Sequence, residues 1–312
     1  MPQYAKHFLN SAHRDKPIEE ILQTAPDALY GVSGADAERL DESFGIGTIA
    51  ELANNRFFHR AQALQASSGA PGHDPGPSAE WAAFFADAPL DFYLSHPSER
   101  FRLEFGPVYY RGRLDDTARI LIVGQDPSTN EILSQRAFVG ASGQRIQRLL
   151  NKIGIDRSYV MVNTFLYSVY GQFDSELREI STTEPLIGYR NTLLDHIVEL
   201  NEIELVIAFG SGAAHAVEHW PGHNTFEYIH LHHPAANSAP ENWNGLLANL
   251  ADAVEPDDSS LIDLTPYGST FTGADHTDIP RYDLSFGIPD WQGTRQGVSH
   301  RNGANEIIWQ AP

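Results

Sequence analysis

Two short runs, ILIV at 120–123 and LVIAF at 205–209, constrain this chain more than any other feature. A strand with one wet face alternates apolar and polar residues, whereas an unbroken apolar run needs cover on both faces. Similar stretches at Tyr159–Val162 and Phe226–Leu231 are separated from these by helical patterns. The expectation is therefore an α/β fold: a three-layer α/β/α sandwich around a mostly parallel sheet, spanning 81–254. Within it Ser142 is placed as the N-cap of a helix whose Ile146, Leu149, Leu150 and Ile153 share the face that packs on the sheet.

The flanks have a different character. Residues 17–65 carry helical periodicity broken at Gly31, Gly34, Gly45 and Gly47, which resembles a helix-hairpin-helix module over 1–65. Such hairpins grip DNA through turn amides, yet these 65 residues hold six basic side chains against nine acidic ones. A protein partner is accordingly expected for this module ahead of DNA. The Gly-, Pro- and Ser-rich segment 66–80 reads as a linker. Beyond 254 the periodicity fades into an aromatic, Asp-rich tail over 255–312, expected to pack across the main domain or a second copy, its role unassigned.

Composition removes several chemistries. There is no cysteine among the 312 residues, so disulfides, thiolate nucleophiles, iron-sulfur clusters and Cys-ligated zinc are excluded. No apolar run suits a secretory signal or a membrane span, so a cytoplasmic protein without a membrane partner is expected. A formal charge of −20 repels polyanions, so any nucleic-acid role requires a local basic patch. The candidate patch is the 136–157 region, where five basic residues, Arg145, Arg148 and Lys152 among them, face the single acid Asp156.

In parallel α/β sheets the functional groups gather at the carboxyl ends of the strands. Four loops there offer Gln125-Asp126-Pro127, Asn163-Thr164, Gly210-Ser211 and His232-His233-Pro234. Together they supply a carboxylate, an amide with a donor and an acceptor, small residues that permit close approach, and an imidazole, with Phe138 as a wall. Two rival chemistries use the same region. His215 and His219 stand four apart, with His230, His232 and His233 downstream, but the H-E-x-x-H order of a helical zinc site is absent. FGSGA lacks the G-x-S-x-G frame a nucleophilic Ser211 would need.

The motifs VGQDP, RAFVG, VMVNTF, FGSGAAH and HHPAA, in that order, resemble the uracil-DNA glycosylase superfamily over roughly half the chain. The first motif is of its GQDP type, and RAFVGASGQRIQRLL is similar to a block of the bacterial iron-sulfur branch. The missing cysteines place the chain outside that branch. The resemblance implies a base-excision repair enzyme that flips uracil, or another deaminated base, out of DNA and hydrolyses its N-glycosidic bond without metal or cofactor. By the same resemblance Asp126 activates water, His233 stabilises the departing base, and Gln125, Ser128, Phe138 and Asn163 bind it. Gly210, Ser211, Pro234, Ala235 and Asn237, joined by Arg145 and Arg148, are the expected DNA contacts.

The chain departs from the family pattern at three places. Ser128 replaces the aromatic residue that excludes the thymine methyl, which points to a roomier pocket. Ala235 stands where a phosphate-contacting Ser is usual, and Asn237 where a wedge Leu fills the vacated stack. These last two changes support the alternative of a weak or inactive member serving as a nucleic-acid-binding or interaction scaffold. Of the two histidines beside Pro234, alternation along YIHLHHP puts His230 and His232 on one face and His233 on the other, and the HP match favours His233.

Overall fold

The computed structural model describes residues 9–58, 72–95 and 100–288 and divides the chain into two compact units, 1–72 and 73–312. In the first unit α1 (Ile18–Leu22), α2 (Gly34–Phe44) and α3 (Ile49–Ala53) pack around Leu9, Ile21, Ala28 and Ile49. The left-handed Gly45 (φ 64°) ends α2, and Thr48 caps α3. In that hairpin the Glu51 carboxylate accepts the N–H groups of Gly47 and Thr48, both at 2.9 Å. The turn amides that would meet a phosphate are thus taken by the chain's own anion.

The second unit holds α4 (Ala79–Ala86), α5 (Leu90–Ser95), β1 (Phe101–Arg102), β2 (Arg111–Gly112), β3 (Ile120–Gly124), α6 (Thr129–Ser134), α7 (Ala141–Lys152), β4 (Tyr159–Asn163) and β5 (Ser168–Val169). It continues with α8 (Ser175–Ser181), α9 (Leu186–Leu200), β6 (Leu205–Phe209), α10 (Ser211–Glu218), β7 (Glu227–Leu231) and α11 (Ala239–Asp252). Five strands form one sheet in the order β2-β4-β3-β6-β7, parallel except for β2, while β1 and β5 form a separate antiparallel pair.

The unbroken apolar runs find the cover they require. Ile120, Ile122, Leu205 and Ile207 point to one layer with Ile146, Leu149 and Leu150 of α7 and Trp243 and Leu247 of α11. Leu121, Val123, Val206 and Ala208 point to the opposite layer with Leu193, Leu194 and Ile197 of α9 and Val217 of α10. At about 25 cal/mol per Å² of apolar surface, each of the Val, Leu and Ile side chains among them contributes roughly 1.5–3 kcal/mol by leaving water. The expected α/β sandwich is observed. The connections leave β3 and β6 in opposite directions, so the crevice of this sheet opens between their carboxyl ends.

Two boundaries differ from the sequence reading. The N-cap of α7 is Gly140 rather than Ser142, which lies inside the first turn. Inside that turn Gly143 packs under the Phe138 carbonyl, where a Cβ would lie 1.6 Å from the oxygen, so only glycine fits there. The second half of the expected linker is ordered structure. Asp74 is buried and pairs with Arg136 at 2.6 Å, and Ser78 caps α4 by accepting from the Trp81 N–H. Residues 66–71 lie outside the described residues.

The tail packs on its own unit as far as Ile288. Asp257 accepts three backbone N–H groups, from Asp156, Arg157 and Ser158, and the Arg119 guanidinium. Asp283, fully buried, accepts from the Tyr159 hydroxyl at 2.6 Å and from Arg113 at 2.5 Å. Ile279 and Leu284 cover Val139. The remaining 289–312 lie outside the described residues, none of whose helices is long and apolar enough to cross a membrane.

Candidate active site

The candidate site lies at the carboxyl ends of β3, β4, β6 and β7. After β3, Asp126 is held on both oxygens: Oδ1 accepts from Gln125 Nε2 at 2.9 Å, and Oδ2 from the N–H of Val169, at the end of β5, at 2.9 Å. The loop is tied to β4 by the N–H and hydroxyl of Thr164, each donating to the Gly124 carbonyl at 2.8 Å, and by the Phe165 N–H to the Gln125 carbonyl at 2.9 Å. The carboxylate is half-buried and fixed in direction before any ligand arrives.

Beside it, Gly124, Phe138 and Asn163 converge. A Cβ at Gly124 would stand 2.1 Å from Cζ of Phe138 and 2.5 Å from Oδ1 of Asn163. Only a glycine lets ring and amide approach the strand end so closely. Asn163 is 4% exposed, and its Oδ1 has no hydrogen-bond partner among the described residues. A buried acceptor left unpaired costs about 1–3 kcal/mol, a penalty that native interiors rarely carry without a use.

Phe138 has φ 55°, a left-handed conformation that a bulky residue adopts only when its surroundings impose it. Glu131 on α6 imposes it. Its buried carboxylate accepts the Ser128 N–H at 3.0 Å on one oxygen, and the Val139 and Gly140 N–H groups at 2.9 and 3.1 Å on the other. One side chain thus ties the Asp126 loop to the Phe138 loop. Its role was visible in the sequence as the Ser-x-x-Glu spacing of a capping box at 128–131. Ser128 itself starts α6 with its side chain exposed.

The β6 and β7 loops join from the other side. A Cβ at Gly212 would meet Gln125 Oε1 at 2.6 Å, and one at Gly210 (φ 86°) would meet the His233 Cβ at 3.1 Å. The Ala235 N–H donates to His233 Nδ1 at 3.1 Å, so the neutral ring carries its proton on Nε2. His232 is engaged elsewhere: its Nδ1 meets the Ser238 hydroxyl at 2.8 Å, and its N–H donates to Asn242. Its ring lies 6.4 Å from that of His230, the pairing that alternation required.

Residues 111–249 match the family model of the uracil DNA glycosylase superfamily. Such a domain suggests a DNA glycosylase, an enzyme of base-excision repair acting on DNA. No curated protein matches the chain.

Within this matched segment, Gln125, Asp126, Phe138, Asn163, Gly210 and His233 are linked through the contacts above. Ser211, Ala235 and Asn237 are exposed at the same end of the sheet, and Pro234 is buried. Of the two expected cationic contacts, Arg145 reaches the β7 loop and Arg148 is paired with an acid. Arg145 donates to the Pro234 carbonyl at 2.7 Å and lies over the Phe271 ring; Arg148 and Lys152 both pair with Asp263. The tail thus neutralises Arg148 and Lys152 but not Arg145, with Asp263 held well below the usual carboxylate range by hydrogen bonds from Thr265 and Lys152.

The His215/His219 pair also has intramolecular uses. His215 Nδ1 sits 3.1 Å from the Arg178 guanidinium, and His219 Nδ1 2.8 Å from the His215 carbonyl. Burial, then His219 and Arg178, push the His215 imidazole below its ordinary value. Among the described residues no three His, Cys, Asp or Glu side chains group as metal ligands.

Proposed function

We propose that the chain hydrolyses the N-glycosidic bond of uracil in DNA. The observation that carries this reading is the unpartnered, buried Oδ1 of Asn163 beside the Phe138 ring and the Asp126 carboxylate. A planar base lying on Phe138 offers an N–H to that oxygen and a carbonyl to the Asn163 amide. A water against Asp126 is aimed at C1′. As its oxygen bonds to C1′, the C1′–N bond breaks and the electron pair leaves with the base. His233 Nε2–H faces the negative charge that gathers on the base carbonyl, while Asp126 faces the cationic sugar and takes the water proton. The base anion then takes up a proton from solvent.

Exposed Ser128 sets no bulky wall at the first motif, so hypoxanthine and xanthine belong in the substrate range. For the N-terminal module, Glu51 occupying the hairpin amides supports docking to a protein.

The test is alkaline strand scission of labelled oligonucleotides carrying uracil, hypoxanthine, xanthine or thymine opposite G. Uracil strands are cut by the wild type, and Asp126→Asn and Asn163→Ala each slow the reaction about a hundredfold or more. Absence of cleavage at every lesion, or full activity in both variants, sinks the proposal.

A further inference from the structure

The acidic flanks change which cations can meet DNA. Arg111, Arg113, Arg119, Arg136, Arg148 and Lys152 all pair with aspartates at 74, 257, 263 or 283, outside the segment 111–249. Of the basic patch expected from sequence, Arg136, Arg148 and Lys152 are taken in this way, while Arg145 lies over Phe271 and meets the Pro234 carbonyl.

Two further arginines without a carboxylate partner among the described residues, on the β5 and α8 side of the candidate site, also lie over aromatic rings. Arg102 Cζ is 4.5 Å from the Tyr170 ring centroid, and Arg178 Cζ is 5.3 Å from that of Phe173. Tyr170 directly follows Val169, whose N–H holds Asp126, and the residue is 38% exposed. Arg178 is exposed and touches His215 on α10, the helix whose Gly212 abuts Gln125. One pair is therefore anchored to the Asp126 loop through β5, and the other to the Gln125 side through α10. Arg100, next to them, is already taken by Asp174 and Glu176.

We infer that the Arg102–Tyr170 and Arg178–Phe173 pairs grip a single DNA strand on either side of the flipped nucleotide, an inference that rests on the glycosylase reading. A guanidinium parked on a ring is weakly hydrated and keeps donors for a phosphodiester, which it can meet bidentately. The exposed Tyr170 ring can stack a neighbouring base whatever its sequence, which is how single strands are held, while the half-buried Phe173 positions Arg178. The β7 loop points the same way. Asn237, exposed and polar, does not fill a duplex stack as an apolar wedge would, so opening paired DNA costs this site more than receiving a strand already open.

The experiment is a fluorescence titration of the full chain with an undamaged single-stranded oligonucleotide and with its duplex, over a range of salt. Undamaged DNA keeps binding separate from turnover, and excision from the uracil-containing strand is measured beside it. The single strand binds tighter than the duplex. Arg102→Gln with Arg178→Gln makes the salt slope for the single strand shallower by about 1.4, the value for two lost phosphate contacts. Affinity at low salt falls about tenfold or more, and Tyr170→Ala weakens it about fivefold or more. Lysines at both arginine positions restore the slope, which excludes misfolding as the cause, and Arg148→Gln leaves it unchanged.

An unchanged slope in the double Gln variant, tighter duplex binding, or a wild type that binds no DNA overturns the inference. If the wild type excises uracil while the arginine variants bind as it does, the rim assignment alone has failed. If it binds through these arginines yet excises nothing, the catalytic reading has failed and the rim stands as a single-strand binding surface.

Discussion

Replacing Glu131 by Gln tests whether one buried carboxylate positions both halves of the candidate site. The Glu131 side chain accepts three backbone N–H groups, from Ser128, Val139 and Gly140. An amide of the same shape can keep the Val139 and Gly140 bonds through its oxygen. Its NH₂ then faces the Ser128 N–H, donor against donor. The loss is one charge-assisted hydrogen bond and a weakening of the other two, about 2 kcal/mol. For a unit of this size that lowers the melting temperature by about 4–8 °C. Phe138, whose left-handed backbone this carboxylate holds, then has more freedom, so kcat/KM on uracil DNA falls about tenfold or more. Calorimetry of the full chain reads the first effect and steady-state excision the second. A Gln variant that melts within about 1 °C of wild type with unaltered kcat/KM refutes the reasoning.

Two further outcomes follow from the same geometry. Burial alone would raise the Asp257 carboxyl, but the Ser158 hydroxyl, the amides of 157 and 158 and Arg119 hold it at about 2 against an ordinary 3.8. A depressed carboxyl contributes stability above its unfolded value and loses it as pH falls through the folded one, so Asp257→Asn should cost roughly 1–2 kcal/mol at pH 6, a difference that vanishes between about pH 4 and 2. Urea unfolding at a series of pH values checks this, and an equal difference at both ends contradicts it. Gly212→Ala gains helix propensity, but its Cβ meets Oε1, Cγ and Cδ of Gln125 at 2.6–3.0 Å, so this side chain must move off Asp126: melting should change little and excision should drop. Undiminished excision would show that the Gln125 bond does not matter to Asp126.

Much of the fold could be read along the chain because it follows from local rules. Unbroken apolar runs at 120–123 and 205–209 require cover on both faces, and that requirement is enough for a parallel sheet between helix layers. Ligand crevices in such sheets lie at the carboxyl ends of strands, so Asp126, Asn163, Gly210 and His233 could be nominated from position alone. Even Glu131, which was overlooked, left its mark as a capping-box spacing.

The partners of charged side chains could not be read this way. Arg145, Arg148 and Lys152 are a basic stripe in sequence, but their fate depends on a segment more than a hundred residues away that folds back with Asp263, Tyr267 and Phe271. Likewise Asp74 looks like part of a flexible linker until Arg136 and Tyr110 close over it. Periodicity, caps and turns act over a few residues, and the sequence determines them directly. Which cation meets which anion, and which acceptor is left bare beside Phe138, depends on how distant segments pack, and only the tertiary structure decides it.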